Sequence, residues 1–562
     1  MENNNFTLIL SVVLALGIIF GWQHFYEKPR LQELQKQTIA KNSQSKAVKS
    51  LNKSKSSGFL DTDKALTQSS RVLINTQKLR GSISLKALRF DDLTLVGYKE
   101  TLDENSADIR LLNPSNTKNS YFAEFGFLGA KNFPNSETTW SANNTELTTE
   151  KPVVFSWKNT DGIEFLVTIS VDENYMFSMH QEIVNHSNKK IEFQAYGLVN
   201  KINIPEANAN AVVYTGMMGA FDGQIEEFAY DKIKSNKRKQ LLDKQISWLG
   251  FTEKYWLTSF VLDKNFIYNS NASYALRNGL DYYQLDFVTK KQSLNKDEHF
   301  SLQHKLFLGA KKVDLLDQYE KNDDITLFDR AIDFGWFYIL TKPLFGILNF
   351  FYGLVGNFGL SIIIVTVLVK IIMLGLANKS YTTMARMKEI QPEIDRLKIL
   401  YANDQMQISQ ATLALYKKHG LNPVAGCLPV ILQIPVFFSI YKVLNVTIEM
   451  RHASFFGWIR DLSAPDPTNI FNLFGLLPFQ APQFLHIGLL PILMALTMHW
   501  QQKLNPPPQD PIQQKLMQFM PLMFLFMFNN FPSGLFLYWT WSNILSIIQQ
   551  KYVNNFKTKH GQ

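Results

Sequence analysis

Cysteine is almost missing: Cys427 is the single one in 562 residues. That excludes an intramolecular disulfide framework and any multi-cysteine zinc or iron–sulfur site. The sequence also lacks a G-x-x-x-x-G-K-[ST] phosphate loop, an HExxH pair and a G-x-S-x-G elbow. With none of these, no means of using ATP and no hydrolytic centre is visible, and neither enzyme chemistry, a metal nor a cofactor is expected. Charge is absent from two long stretches, between Asp466 and Lys503 and from Leu516 to Gln550. The overall balance hides this, at 57 Lys+Arg against 48 Asp+Glu, a net charge of +9, 46% apolar and 19% charged residues. Those averages exclude wholesale disorder and collagen-like repeats. A net +9 is small for this length, and no nucleic-acid partner is expected.

At roughly 100–200 residues per domain the chain holds more than one folded unit. Residues 1–26 contain an uncharged run, FTLILSVVLALGIIFGW, with neither a basic n-region nor an A-x-A cleavage site, which reads as an uncleaved transmembrane anchor. Residues 27–59 space lysines among Ser, Gln and Asn with too little apolar area to offset chain entropy, the pattern of a polar linker or a lipid-headgroup contact. Residues 60–330 show alternating runs such as Glu164-Phe165-Leu166-Val167-Thr168-Ile169, with turn signals at Asn113-Pro114, Asp161-Gly162 and Asp222-Gly223. The pattern predicts a mainly β domain, a sandwich or a barrel. His180, His186, His299 and His304 lack metal-ligand spacing and read as surface or packed residues.

From Phe334 the chain turns apolar. Residues 331–356, aromatic-rich with Lys342-Pro343 in the middle, predict an amphipathic helix lying in the membrane interface. Transmembrane helices are predicted over 357–377, 427–447 and 484–502, with Pro478 and Pro482 closing the loop 448–483. The uncharged stretch from Leu516 to Gln550 would be ~52 Å long as one helix, against a hydrocarbon core of about 30 Å. It must fold back, at Asn529-Asn530-Phe531-Pro532-Ser533-Gly534, into spans over 515–530 and 531–550 after the cytoplasmic loop 503–514. The tail 551–562 is short and basic. Six transmembrane helices result, counting the anchor. The loop between the second and third carries Lys379, Arg386, Lys388, Arg396, Lys398, Lys417 and Lys418, which places it, with both termini, in the cytoplasm and residues ~27–356 outside.

Lys370 is the informative residue. On a straight helix it lies ~13 Å from the end at Lys379, and a charge at a span centre costs about 2.5–3.5 kcal/mol. Water is the cheapest remedy, so Lys370 is expected to face a hydrated groove, with Thr366 on the same face; a partly snorkelled structural lysine is the alternative. Lys442, near the outer end of its span, can snorkel. Gln433, Tyr538, Ser542 and Asn543 are polar residues able to line the same groove or to bond between helices. Residues 378–420 predict a helical hairpin, with Met384, Met387, Ile390, Ile394, Leu397 and Tyr401 at helical spacing, a turn at Asn403-Asp404, and a break at Pro392. It reads as a self-packed coiled-coil hairpin; the alternative adds a methionine-bearing surface able to pack on varied apolar segments.

The runs GNFGLSIIIVTVLVKIIMLGL, LNPVAGCLPVILQIPVF, FFGWIRDLSAPDP and MPLMFLFMFNNFPSGLFLYWTWSNILSIIQQ, in that order, resemble the YidC-type membrane protein insertases of the Oxa/Alb/YidC family. The resemblance covers about 331–556 and, with the anchor and outer β domain, is to the Gram-negative form. It implies a β-supersandwich periplasmic domain, a conserved five-helix core in the bacterial inner membrane, and a hydrophilic groove. The groove would hold Lys370, Thr366, Gln433, Tyr538, Trp539, Ser542 and Asn543, with Val436 and Phe437 as an apolar slide. Nascent membrane proteins, the Sec translocon and membrane lipids are the implied partners, with the ribosome and the signal recognition particle pathway beside them. Two positions depart from the family pattern: Lys370 replaces the usual arginine, and Trp539 replaces the second of two tyrosines. The short tail argues against strong ribosome docking through it. A small-solute or anion transporter is the competing reading, but no internal repeat supports it. A sensor would need a cytoplasmic effector domain.

Overall fold

The computed structural model describes residues 59–129, 132–204, 213–401, 404–422, 426, 428–475, 477, 487–508 and 511–560. The expected anchor, the linker up to residue 58, Asn403 of the hairpin turn, Cys427, and Pro478 and Pro482 lie outside the described residues.

Alternation builds the first unit. Ile163–Val171 buries every second residue, as a strand with one covered face must. Its neighbours continue the pattern into two sheets, of eleven and nine strands among the described residues. In the larger, Ile191–Ile202 pairs antiparallel with Tyr121–Leu128 and Leu280–Thr289. In the other, Met176–Asn185 and Trp256–Val261 flank His299–Ala310. Rings interlock between the sheets: Phe90 on Phe177 at 5.1 Å, Phe260 on Phe287 at 5.3 Å and Phe127 on Phe165 at 5.8 Å. The domain is therefore a sandwich. Asp222-Gly223 turns its hairpin with φ of 48° and 78°, and Asn278-Gly279 does the same with 51° and 77°. Both dipeptides supply the two left-handed residues that a tight hairpin requires.

His304 sits among Phe125, Phe260 and Phe287, fully buried. Burial alone pushes its pKa down to about 3.

The apolar half forms helices. Helix α1 (Val313–Asn322) closes the β domain. Then come α2 (Tyr338–Val355), α3 (Phe358–Ile372), α4 (Leu374–Glu389), α5 (Gln391–Leu400) and α6 (Gln405–Lys418). Helices α7 (Leu428–Val446), α8 (Leu489–Leu504), α9 (Pro511–Met527) and α10 (Ser533–His560) complete the unit. Among the described residues α2 and α7 are each long and apolar enough to cross a membrane, and α3 with α4 qualifies as a pair bent by 67°. The bend corrects one expectation. Lys370 lies three residues, ~4.5 Å of rise, before Met373, not ~13 Å inside a straight span. The bend falls inside an apolar run that continues through Ala377, a few residues before the first charge at Lys379. Pro392 stands in the first turn of α5, where its missing N–H costs nothing.

Helix α2 also differs from a plain interfacial helix, since its composition suffices for a span. Its polar groups bind the β domain: Lys342 pairs with Asp317 at 2.9 Å and Asp329 at 2.7 Å, and Asn349 donates to Asp314 at 3.0 Å. Lys442 reaches out of α7 and meets Asp333 at 2.8 Å, so a carboxylate receives the snorkelling ammonium. Glu449 accepts from the Val313 N–H at the start of α1, and Arg451 donates to the Lys99 carbonyl. Together these contacts seat the sandwich on the helices.

The neutral, buried His304 generates a prediction. Its pKa lies below the ~6.5 of an unfolded histidine, so its contribution to stability is complete above about pH 6.5 and is lost as pH falls toward 3. Between pH 7.5 and 5.5 the wild type should lose about 1.4 kcal/mol that His304→Leu does not. Denaturant unfolding followed by circular dichroism at both pH values measures the difference; equal pH dependence in the two proteins would contradict it.

Candidate functional site

Helix α10 carries a polar stripe through an apolar bundle. Tyr538, Ser542 and Ser546 recur every four residues and share one face. All three are buried. Lys370 Nζ donates to Ser546 Oγ at 2.8 Å. Among the described residues no carboxylate pairs with Lys370, and burial is its dominant environment. Gln433 of α7 donates to the Tyr538 hydroxyl. These contacts bring Lys370, Ser546, Gln433 and Tyr538 along one seam where α3 and α7 meet α10, and Ser542 stands between the two pairs on the same face of α10.

Two expected groove residues spend their hydrogen bonds elsewhere. Thr366 is buried, and its hydroxyl donates to the Ile362 carbonyl at 2.6 Å, one turn back in its own helix. A threonine inside a helix finds that acceptor without leaving the backbone. Asn543 donates to Thr497 Oγ1 of α8 at 3.1 Å, because one residue beyond Ser542 turns the side chain by 100°. It bonds between helices and does not meet Lys370.

The apolar slide also shifts. Phe437 packs edge-on to Trp539 at 4.9 Å, and Trp539 adds Phe524 at 5.6 Å and Phe528 at 5.8 Å. Val436, Phe437 and Trp539 are therefore half-buried wall. The exposed stripe of α7 is Val430, Ile434 and Phe438, and α9 exposes Leu516, Phe519, Leu522 and Phe526. Of the two readings of the hairpin, the self-packed one fits the structure. Met384 packs with Ala377, Tyr381 and Val553, while Met387 and Ile390 join Ile394, Tyr416 and Leu421. Met387 and Ile390 are buried because the amphipathic helices of the hairpin cover each other's apolar faces, while Met384 is buried with Ala377 and Tyr381 against Val553 of α10. The apolar side chains left open are Ile399, Leu400 and Met406 beside the turn.

Comparison with known proteins divides the chain as the structure does. A family model described as YidC periplasmic domain matches residues 71–347, and one described as 60Kd inner membrane protein matches 350–560. A membrane protein insertase YidC of Rickettsia rickettsii (strain Iowa) is 53% identical over 562 residues, spanning 99% of this chain and 100% of its own. This chain belongs to the YidC membrane protein insertase family. The YidC of Rickettsia prowazekii (strain Madrid E) is 54% identical over 564 residues, covering 99% of this chain and 100% of its own. Among solved structures, an active YidC insertase crystal structure is 16% identical with a TM-score of 0.37, covering 86% of this chain and 92% of that one. Its family makes the chain an inner membrane insertase and not an enzyme.

Within this YidC-family chain, sequence reading missed Ser546 and a second tie. Gln549 donates to Asn378 at 2.8 Å, joining α10 to α4 just beyond the bend. The signal for Ser546 was present, since it stands four residues after Ser542, which itself follows Tyr538 by four. Nothing in the sequence paired it with a lysine 176 positions earlier.

The Gln433–Tyr538 contact is testable by a double-mutant cycle. Tyr538→Phe keeps the ring and removes the hydroxyl, and should lower stability by about 0.5–1.5 kcal/mol. Adding Gln433→Ala should cost less than the sum of the single changes, the deficit measuring the coupling. Thermal unfolding in detergent reads it; strict additivity would show the pair uncoupled.

Proposed function

We propose that this insertase works through a hydrophilic, positively charged groove bounded by α3, α7 and α10, open to the cytoplasm and toward lipid. The observation that carries this reading is an ammonium, Lys370, with a hydroxyl partner and no carboxylate partner among the described residues, in otherwise apolar helices. A charge left without a counterion there attracts acidic groups. An entering polypeptide must carry a polar stretch past ~30 Å of hydrocarbon, where each unpartnered polar group costs several kcal/mol. Hydration reaching to Lys370 shortens that path. The bend after Ile372 supports an inward opening, because it sets the lysine close to the cytoplasmic end of α3. Gln433, Tyr538 and Ser542 offer polar partners deeper along the seam. The exposed stripe Val430, Ile434 and Phe438 offers the substrate helix an apolar path into lipid, with Phe437 and Trp539 stiffening the wall. Burial of the substrate's own apolar surface drives the reaction, so no nucleotide is required.

The remaining topology follows from the charge pattern. Six spans, the first over residues 1–26, place both termini in the cytoplasm and the sandwich in the periplasm. Helix α2 lies along the outer interface, its exposed Ile339, Phe350 and Leu354 in lipid and its Lys342 and Asn349 on the β domain. Nascent membrane proteins are the substrates. The Sec translocon is a second partner, and the hairpin α5–α6 receives chains from the ribosome or the signal recognition particle pathway.

Reconstituted insertion of a single-span substrate with an acidic translocated tail tests the groove. Lys370→Ala should lower insertion about tenfold, comparable to losing one charge-assisted contact, while Lys370→Arg retains it. Full activity of the alanine variant would remove Lys370 from the mechanism.

A further inference from the structure

Lysine carries a single compact charge on a flexible stem, where guanidinium would present a planar fork. A lone lysine near the inner end of a span can turn its stem toward the interface and leave the bundle. In this chain Lys370 does not do so. Its ammonium donates to Ser546 Oγ at 2.8 Å, across from α3 to α10. Ser546 is almost wholly buried, at 3% exposure. The hydroxyl of Tyr381, on α4 beyond the bend, is a second neighbour of the same serine. Since Ser546 Oγ accepts from the lysine, its own O–H is free to donate to the Tyr381 oxygen. Gln549, three residues on, ties α10 to Asn378 of α4 at 2.8 Å. One hydroxyl thus lies where three helices converge, on both sides of the 67° break.

We infer that Ser546 is the positioning residue of the groove: it draws the Lys370 ammonium inward, between α3 and α10, and with Tyr381 fixes the charge relative to the bend. The inference deepens the groove reading and rests on Lys370 being the groove's cation. Ser546 itself need not touch the substrate. Its effect is to keep a one-point charge aimed where an acidic segment enters, which a lysine requires more than an arginine does. The serine therefore belongs with the lysine as a pair.

The test uses full-length protein in proteoliposomes and two single-span substrates, identical except that one carries an acidic translocated tail and the other a neutral one. Ser546→Ala should lower insertion of the acidic-tail substrate on the order of tenfold, the low end for a hydrogen bond to a charged group, and lower that of the neutral-tail substrate far less. Ser546→Thr, which keeps the hydroxyl, should retain insertion. Lys370→Arg combined with Ser546→Ala should restore it, because the longer fork depends less on one acceptor. Unchanged acidic-tail insertion by Ser546→Ala, or an equal loss on both substrates, would overturn the positioning role while leaving the groove intact. A Lys370→Ala protein fully active on the acidic tail would instead overturn the groove reading beneath it.

Discussion

An ammonium group bonded to a serine hydroxyl inside an apolar helix bundle is the constraint around which the membrane half is organised. Moving such a charge out of water carries a large desolvation cost, and an acidic neighbour would be the ordinary compensation. Lys370 has Ser546 in that place, with no carboxylate among the described residues. A hydroxyl orients the charge without cancelling it. The field of the lysine therefore remains available to whatever enters the seam, which a permanent ion pair would abolish. The contrast with Lys442 is instructive, because that lysine meets Asp333 and serves to seat the β domain.

The bundle realises this constraint through one helix. Successive polar residues of α10 each reach a different neighbour: Tyr538 meets Gln433 of α7, Asn543 meets Thr497 of α8, Ser546 meets Lys370 of α3, and Gln549 meets Asn378 of α4. Between apolar helices in lipid there is little hydrophobic driving force for association, so packing and such bonds set the arrangement. The aromatic wall of Phe437, Phe524, Phe528 and Trp539 fills the outer part of the same junction. Outside the bundle, the ion pairs of Lys342 and Lys442 attach α2 and α7 to the sandwich. The β domain is thereby coupled to α2 and to α7, the helix that carries Gln433.

Much of the fold was legible because it rests on periodicity. The alternation in Ile163–Val171 and the Asp222-Gly223 turn belong to a strand and a hairpin whatever surrounds them. The uncharged runs announced apolar helices, and Pro392 announced a restart. The bend at Met373 was not legible, since no proline or paired glycine marks it and the first charge comes only at Lys379, six residues on. Side-chain partners were harder still. Thr366 looked like a groove residue by spacing, yet its own backbone supplied a nearer acceptor. Met387 and Ile390 could be read as the core of a self-packed hairpin or as an open surface, and the packing follows the first reading; that Val553 of α10 covers Met384 was not legible. Ser546 shows the limit from the other side: the stripe on α10 could be drawn from sequence, but the lysine it meets could not.

Water at residue 370 is the quantity on which the mechanism turns. Cys427 is the chain's single cysteine, so a Cys427→Ser background carrying Lys370→Cys offers one thiol to a membrane-impermeant maleimide added from the cytoplasmic side of inverted membrane vesicles. The account predicts rapid labelling by the aqueous reagent. A thiol that ignores the aqueous reagent and reacts only with a lipid-soluble one would place that position in dry hydrocarbon and contradict the account.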